Sequence, residues 1–398
     1  MPSTPALTVL VDADVYAPEP LGRRCVVVAG ERVVAITDAP PRLDGLTVET
    51  VDVGGRRLVP GLVDAHVHVT GGGGEAGPHT AAPAPPLSAY TTAGVTTVVG
   101  LLGTDDTTRT TGGLVRRVRA LREEGLSAFA WTGGYHLPPT TLTGTVRGDI
   151  AFVREIIGFG ELAVSDHRSS QPTRDEVARV AADCHVGGLM TGKAGVLHLH
   201  LGDGARGLAT IRDLLDTTEI PPRTFHPTHV NRRAALLDEA FALTERGVTV
   251  DLTAFPSDDP TGGLLPGDRE VSAADAVVRF LAAGLPLDRL TVSSDGGGCL
   301  PTFDAQGEML RMGFATSAAL ADLLADLLAR GVPLSDALAP LTRNPARLLR
   351  LRGKGAVAPG MDADLVILGP DGRPTDVMAR GRWHVRDSLP VLRGLFEA

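Results

Sequence analysis

The sequence predicts an α/β protein: a (β/α)8 barrel of the TIM type, with a small β-sandwich domain built from both chain ends. Three observations carry that prediction. Eight apolar, β-type runs alternate with helical patterns between residues 61 and 349, and about 36 residues per unit is the repeat of a (β/α)8 barrel. Both ends have another texture, short apolar strands broken by Gly, Pro and Asp, which assigns 1–60 and 350–398 to one discontinuous β domain and 61–349 to the barrel. A doubly wound sheet is the alternative. It normally opens with a glycine-rich turn, and neither G-x-x-x-x-G-K-[ST] nor a well-placed G-x-G-x-x-G occurs.

In chain order, LTVLVDADV, RRCVVVAGERVVAITD, LTVETVDV and RRLVPG read as the amino-terminal strands. The barrel runs are GLVDAHVHV, VTTVVGLLG, SAFAWTGGY, ELAVSDHR, GVLHLHLGD, TFHPTHVN, VTVDLTAF and RLTVSSDG. Helical periodicity lies between them in TGGLVRRVRALREEG, TRDEVARVAADC, RRAALLDEAFALTERG and SAADAVVRFLAAG. ADLVILG, PTDVMARGRWHVRDS and LPVLRGLFEA return to strand texture. With 43% hydrophobic and 21% charged residues the 398-residue chain is ordinary globular material, and 48 Gly with 29 Pro supply its turns.

Composition also excludes partners. The 38 Lys+Arg against 47 Asp+Glu leave a net charge of −9, with no basic stripe for nucleic acid. Three cysteines, Cys25, Cys184 and Cys299, fit neither a disulfide framework nor a zinc ribbon and agree with a reducing compartment. The first residues lack the basic and apolar blocks of a signal peptide, and no uncharged apolar run reaches membrane-spanning length. A cytoplasmic protein with no membrane partner is expected.

In such barrels chemistry gathers where strands end and βα loops begin. His66 and His68 end the first barrel run as H-x-H, and a period of two turns both imidazoles to one face. Glu161 is read as starting the fourth run; His200, His229 and Asp295 close the fifth, sixth and eighth. Four histidines and two carboxylates from five strands at one rim can hold two divalent ions. A water on such ions titrates near neutrality, and Asp295 beside them can accept its proton and pass it to a leaving amine. Metal-assisted hydrolysis of an amide follows. The other histidines (His79, His136, His167, His185, His198, His226 and His384) read as loop, helix or off-face residues, although His198 shares a face with His200 and could compete as a ligand.

Further polar residues outline a substrate. Glu75 follows four glycines after the first run, Tyr135 follows TGG after the third, Arg168 follows SDH, and Arg232 follows THVN. Two guanidinium groups suit two carboxylates, Glu75 suits an ammonium, and the Tyr135 hydroxyl suits an oxyanion. A free dipeptide containing an acidic residue has those groups.

PGLVDAHVHVTGGGGEAGP, AGVTTVVGLLGTD, TGGYHLP, SDHRSS, PTHVNR, VSSDGGG, ALAPLTRNPA and GKGAVAPGMDADLVIL together resemble the amidohydrolase superfamily and, more narrowly, its isoaspartyl (β-aspartyl) dipeptidase family. The likeness runs over nearly the whole chain. It implies a metal-dependent barrel holding two Zn2+ per subunit, with His66, His68 and Asp295 on one ion and His200 and His229 on the other. It implies Glu75 at the substrate ammonium with Thr104 close by, Tyr135 at the tetrahedral intermediate, and Arg168 and Arg232 at the carboxylates. It also implies self-assembly, typically into octamers.

Two positions depart from the family pattern. Where well-known members carry a metal-bridging carboxylated lysine, this chain has Glu161, shorter but offering the same type of bridge; Lys193 in TGKAG is an alternative carbamate. Cys299 stands where the family has a serine touching the substrate carboxylate, and a thiol donates the weaker hydrogen bond. Other readings stay open: hydrolysis of N-acyl amino acids or of a cyclic amide such as dihydroorotate, and a non-catalytic scaffold.

Overall fold

The computed structural model describes residues 7–255, 271–303 and 309–397. Five amino-terminal strands come first: β1 (Leu7–Tyr16), β2 (Pro20–Ala29), β3 (Arg32–Thr37), β4 (Val48–Asp52) and β5 (Arg57–Pro60). The central strands are β6 (Leu62–Val67), β7 (Val95–Gly100), β8 (Ser127–Thr132), β9 (Ile156–Val164), β10 (Val196–Leu201), β11 (Phe225–Thr228), β12 (Val250–Thr253) and β13 (Leu290–Ser293). A hairpin of β14 (Cys299–Phe303) and β15 (Met309–Phe314) follows, then β16 (Leu365–Leu368), β17 (Pro374–Ala379), β18 (Arg382–Arg386) and β19 (Leu389–Pro390).

All eight central strands predicted from sequence are present. β6 to β11 form a curled six-stranded parallel sheet in sequence order, and β12 and β13 form a parallel pair. Side chains and single backbone bonds join the two pieces at both seams. Between β11 and β12, Thr228 Oγ1 donates to Asp251 (2.7 Å), and the Asn231 side chain exchanges bonds of 3.0 and 2.9 Å with the backbone of Thr253. Between β13 and β6, Ser294 N–H donates to Asp64 (3.1 Å) and His68 N–H to the Gly296 carbonyl (2.8 Å). β6, β7, β9 and β10 are buried along their whole length, which is why they read as continuous apolar runs.

The predicted helices form at Thr111–Glu123, Arg174–Thr191, Ala234–Glu245 and Ala273–Ala282. Thr110 and Ser272 cap two of them, and Thr173 with Glu176 makes a capping box on the longest. Both chain ends enter one nine-stranded sheet, in which β16 lies antiparallel to β5 with Leu365 opposite Pro60. That sheet has its own core of Leu10, Val26, Val28, Leu58, Leu365 and Ile367. Among the described residues no helix is long and apolar enough to cross a membrane.

Two expectations need correction. Glu161 does not start its strand: β9 begins at Ile156, and Glu161 lies near its exit. The sequence concealed this because Gly158 and Gly160 look like turn residues. A Cβ on Gly158 would come within 2.3 Å of the Val196 carbonyl, and one on Gly160 within 2.7 Å of the His198 side chain. Bare backbone is what lets β9 and β10 approach there. Among the described residues of the carboxy-terminal LPVLRGLFEA, only Leu389–Pro390 is strand, because past that pair they make no further ladder.

Candidate active site

His66 sits in β6, and His68 follows directly after it, so both imidazoles emerge at the carboxyl ends of the central strands. Glu161 comes from β9 and His200 from β10, while His229 and Asp295 lie one and two residues past β11 and β13. His229 (φ 59°) and Asp295 (φ 56°) are both left-handed, a conformation that turns each side chain into the mouth at some backbone strain. Asp64 fastens the second turn by accepting from Ser294 N–H and from the Ser294 and Ser317 hydroxyls (3.1, 2.5 and 2.9 Å).

All six side chains converge and are buried. Asp295 Oδ1 lies 3.3 Å from His66 Nε2 and 3.0 Å from His68 Nε2. Glu161 Oε2 lies 3.5 Å from His66 Nε2, 3.5 Å from His229 Nε2 and 3.0 Å from His200 Nδ1, while its Oε1 is 3.6 Å from His68 Nε2. Two groups of three donors, His66–His68–Asp295 and His66–Glu161–His229, each gather within 4.8 Å. Ligands about 2.1 Å from a tetrahedral zinc stand about 3.4 Å apart, so this spacing suits shared cations. His66 Nε2 and Asp295 Oδ1 are buried with no hydrogen-bond partner, as ligand atoms would be. The residues fit divalent metal.

Burial holds His66, His200 and His229 below the usual imidazole range, His200 down to about 3, so the rings are neutral and ligand-competent. Burial, with the Asp295 charge beside it, pushes the Glu161 carboxyl well up; a cation between the two would relieve that repulsion. Burial acts on Asp295 in the same sense, but the His66 and His68 imidazoles overcome it and hold this carboxyl well below the usual range.

The substrate-side residues are less uniform. Tyr135 OH lies 2.9 Å from His200 Nδ1, and burial near Glu161 pushes its phenol well up, so it remains a neutral donor. Arg168 is gripped by Asp166 through Nε (3.1 Å) and NH2 (2.7 Å), and its NH1 reaches Glu75 at 3.2 Å. Arg232 ends a short 3-10 turn after His229, with its buried Nε unpartnered. Thr104, half-buried, follows β7. The Cys299 thiol donates to the Thr80 carbonyl at 3.4 Å and abuts the glycine loop: a Cβ on Gly73 would come within 2.1 Å of its sulfur. Burial raises this thiol to about 11, so it is no nucleophile. Lys193 is no carbamate either, since its Nζ donates to the carbonyls of Ile150, Val153 and Ile156 at 2.6, 2.6 and 2.9 Å.

Sequence reasoning missed Asp166. It accepts from His200 Nε2 at 2.9 Å, leaving the Nδ1 lone pair toward Glu161, and it also holds Arg168. The SDHR motif contains it, two residues before Arg168. His136, read as a loop, helix or off-face residue, lies in a loop, where it bonds Asp106 (2.9 Å) and the Arg168 carbonyl (3.1 Å).

Comparison with known proteins agrees with this architecture. The structure of a β-aspartyl dipeptidase from Fervidobacterium islandicum AW-1, in complex with β-Asp-Leu dipeptide, superposes with a TM-score of 0.87 at 37% identity, covering 96% of this chain and 98% of that one. Dihydropyrimidinase from Brevibacillus agri NCHU1002 shares the fold, with a TM-score of 0.66 at 16% identity over 98% of this chain and 97% of that one. Imidazolonepropionase of Ruegeria sp. (strain TM1040) is 25% identical over 344 residues, 80% of this chain and 79% of that protein. The model of the amidohydrolase family matches residues 57–384, from the strand that joins the two chain ends through every strand that carries one of the six converging side chains to the mouth. The chain belongs to the amidohydrolase family.

Proposed function

We propose that this chain hydrolyses the isopeptide bond of β-aspartyl (isoaspartyl) dipeptides with the help of two zinc ions. The supporting observation is the convergence of His66, His68, Glu161, His200, His229 and Asp295 in a chain 37% identical to a solved β-aspartyl dipeptidase. His66, His68 and Asp295 would hold one ion, His200 and His229 the other, and Glu161 would bridge them. When bound, such ions supply a water that ionises near neutral pH and an electrophilic pull on the amide carbonyl. Asp295 takes the proton as water attacks and returns it to the leaving amine. Tyr135, kept protonated by burial, donates to the developing oxyanion.

The Glu75–Arg168 pair suggests how the aspartyl head is read. An α-ammonium and an α-carboxylate inserted between them exchange one ion pair for two, with Thr104 close by. Arg232 takes the other carboxylate, and Cys299 gives a weaker bond than a serine would. This reading extends to a complete (β/α)8 barrel, a terminal sandwich, a cytoplasmic location and a homo-oligomer, octameric by resemblance.

Hydrolysis of paired dipeptides tests the reading. β-Asp-Leu should be cleaved and α-Asp-Leu spared; chelation should abolish turnover and Zn2+ restore it. Equal rates on both peptides, or preference for an N-acyl amino acid or dihydroorotate, would redirect the substrate within the family. No turnover on any of them would favour a scaffold. Arg232→Ala should raise KM about 10- to 100-fold, the loss of a charge-assisted bond, and leave zinc content unchanged. Parallel loss of zinc would remove Arg232 from the substrate.

A further inference from the structure

The geometry points to His198 as a positioning residue that keeps the ring proton of His66 on Nδ1 and so turns the Nε2 lone pair toward a divalent cation. This rests on the metal reading above. His66 Nδ1 lies 2.8 Å from His198 Nε2, while its Nε2 faces Asp295 and Glu161. A cation needs the Nε2 lone pair, so the proton must sit on Nδ1 and His198 Nε2 must accept it.

What stands behind His198 enforces that state. Its Nδ1 lies 3.1 Å from the His226 carbonyl oxygen, which can only accept, and 2.9 Å from His226 Nδ1. The single proton of neutral His198 therefore belongs on Nδ1. His226 then carries its own proton on Nε2, 2.9 Å from Thr291 Oγ1. The Thr291 hydroxyl donates to Asp251 (2.5 Å), which also accepts from Thr228 (2.7 Å) and Ser293 (2.5 Å). A carboxylate that receives three hydroxyls ends the row as an acceptor, so every donor points away from His66.

Each side chain in the row is completely buried, so no bulk water offers an alternative partner. The wrong tautomer of His66 would set two lone pairs against each other across 2.8 Å. Trp131 fixes the plane of His198: the rings stack 5.1 Å apart at 11°, and the indole N–H is anchored on the Ala65 carbonyl (3.0 Å). The same packing explains why His198 is not a ligand: both its nitrogens are committed to neighbouring histidines.

Long-range 1H–15N spectra of the 15N-histidine-labelled full chain, without metal, read the tautomers directly. His66 and His198 should carry hydrogen on Nδ1 and His226 on Nε2. His198→Phe keeps a ring against Trp131 but removes the acceptor, and should weaken zinc binding in chelator competition by about 10- to 100-fold. His198→Gln, whose amide oxygen can accept from His66, should recover a large part of that loss. Protonation of His66 at Nε2 in the native chain, unchanged zinc affinity in His198→Phe, or no recovery with glutamine would each overturn the assignment. A native chain that binds no zinc would sink the hydrolase reading, and the tautomer spectrum would still decide the role of His198.

Discussion

Asp295→Asn is expected to lower turnover of β-Asp-Leu by about 10²- to 10⁴-fold, the usual contribution of a positioned acid–base group. The substitution keeps shape and an oxygen that can still ligate, but it removes the basic site. In the native chain Asp295 Oδ1 lies 3.3 Å from His66 Nε2 and 3.0 Å from His68 Nε2, beside the donors that would hold the metal. The left-handed backbone at Asp295 and the Asp64 clasp on Ser294 fix where it points. Turnover at saturating substrate, normalised to zinc content, is the measurement. A variant within about threefold of native activity with zinc in place would move the general base elsewhere.

Glu161→Ala is the second change with a large expected effect: the chain should retain at most one tightly bound zinc and lose turnover by about three orders of magnitude. Glu161 sits 3.0 to 3.6 Å from all four histidines. Histidines bring no negative charge, so only two carboxylates among the six proposed ligands offset two dications, and deleting one leaves an uncompensated charge in a buried mouth. Metal analysis beside activity decides the point. Full activity with one zinc equivalent, in the variant or the native chain, would end the two-metal reading.

Glu161 reaches the histidines for a reason visible only in three dimensions. Gly158 and Gly160 flank the site on β9 and let that strand close on β10, which brings the shorter acid among the histidines. The sequence reading starts that strand at Glu161, past both glycines, whereas β9 begins at Ile156. Arg168 has a similar history. The sequence reads it as one of two guanidinium groups for substrate carboxylates, and only the structure shows Asp166 holding it before any substrate arrives. Self-contained patterns fared better: the four helices, H-x-H at a strand exit and seven of the eight central strand runs appear where periodicity put them.

Sequence by itself determined the eight strands, their alternation with helices and the shared face of His66 and His68, because a period of two or of 3.6 is a local property of the backbone. Tertiary structure alone decided which nitrogens meet which oxygens: His200 between Glu161 and Asp166, His198 behind His66, and the two chain ends in one sheet. Those partners lie on different strands, and their meeting depends on lateral register and on the curl of the sheet, which no stretch of sequence encodes on its own.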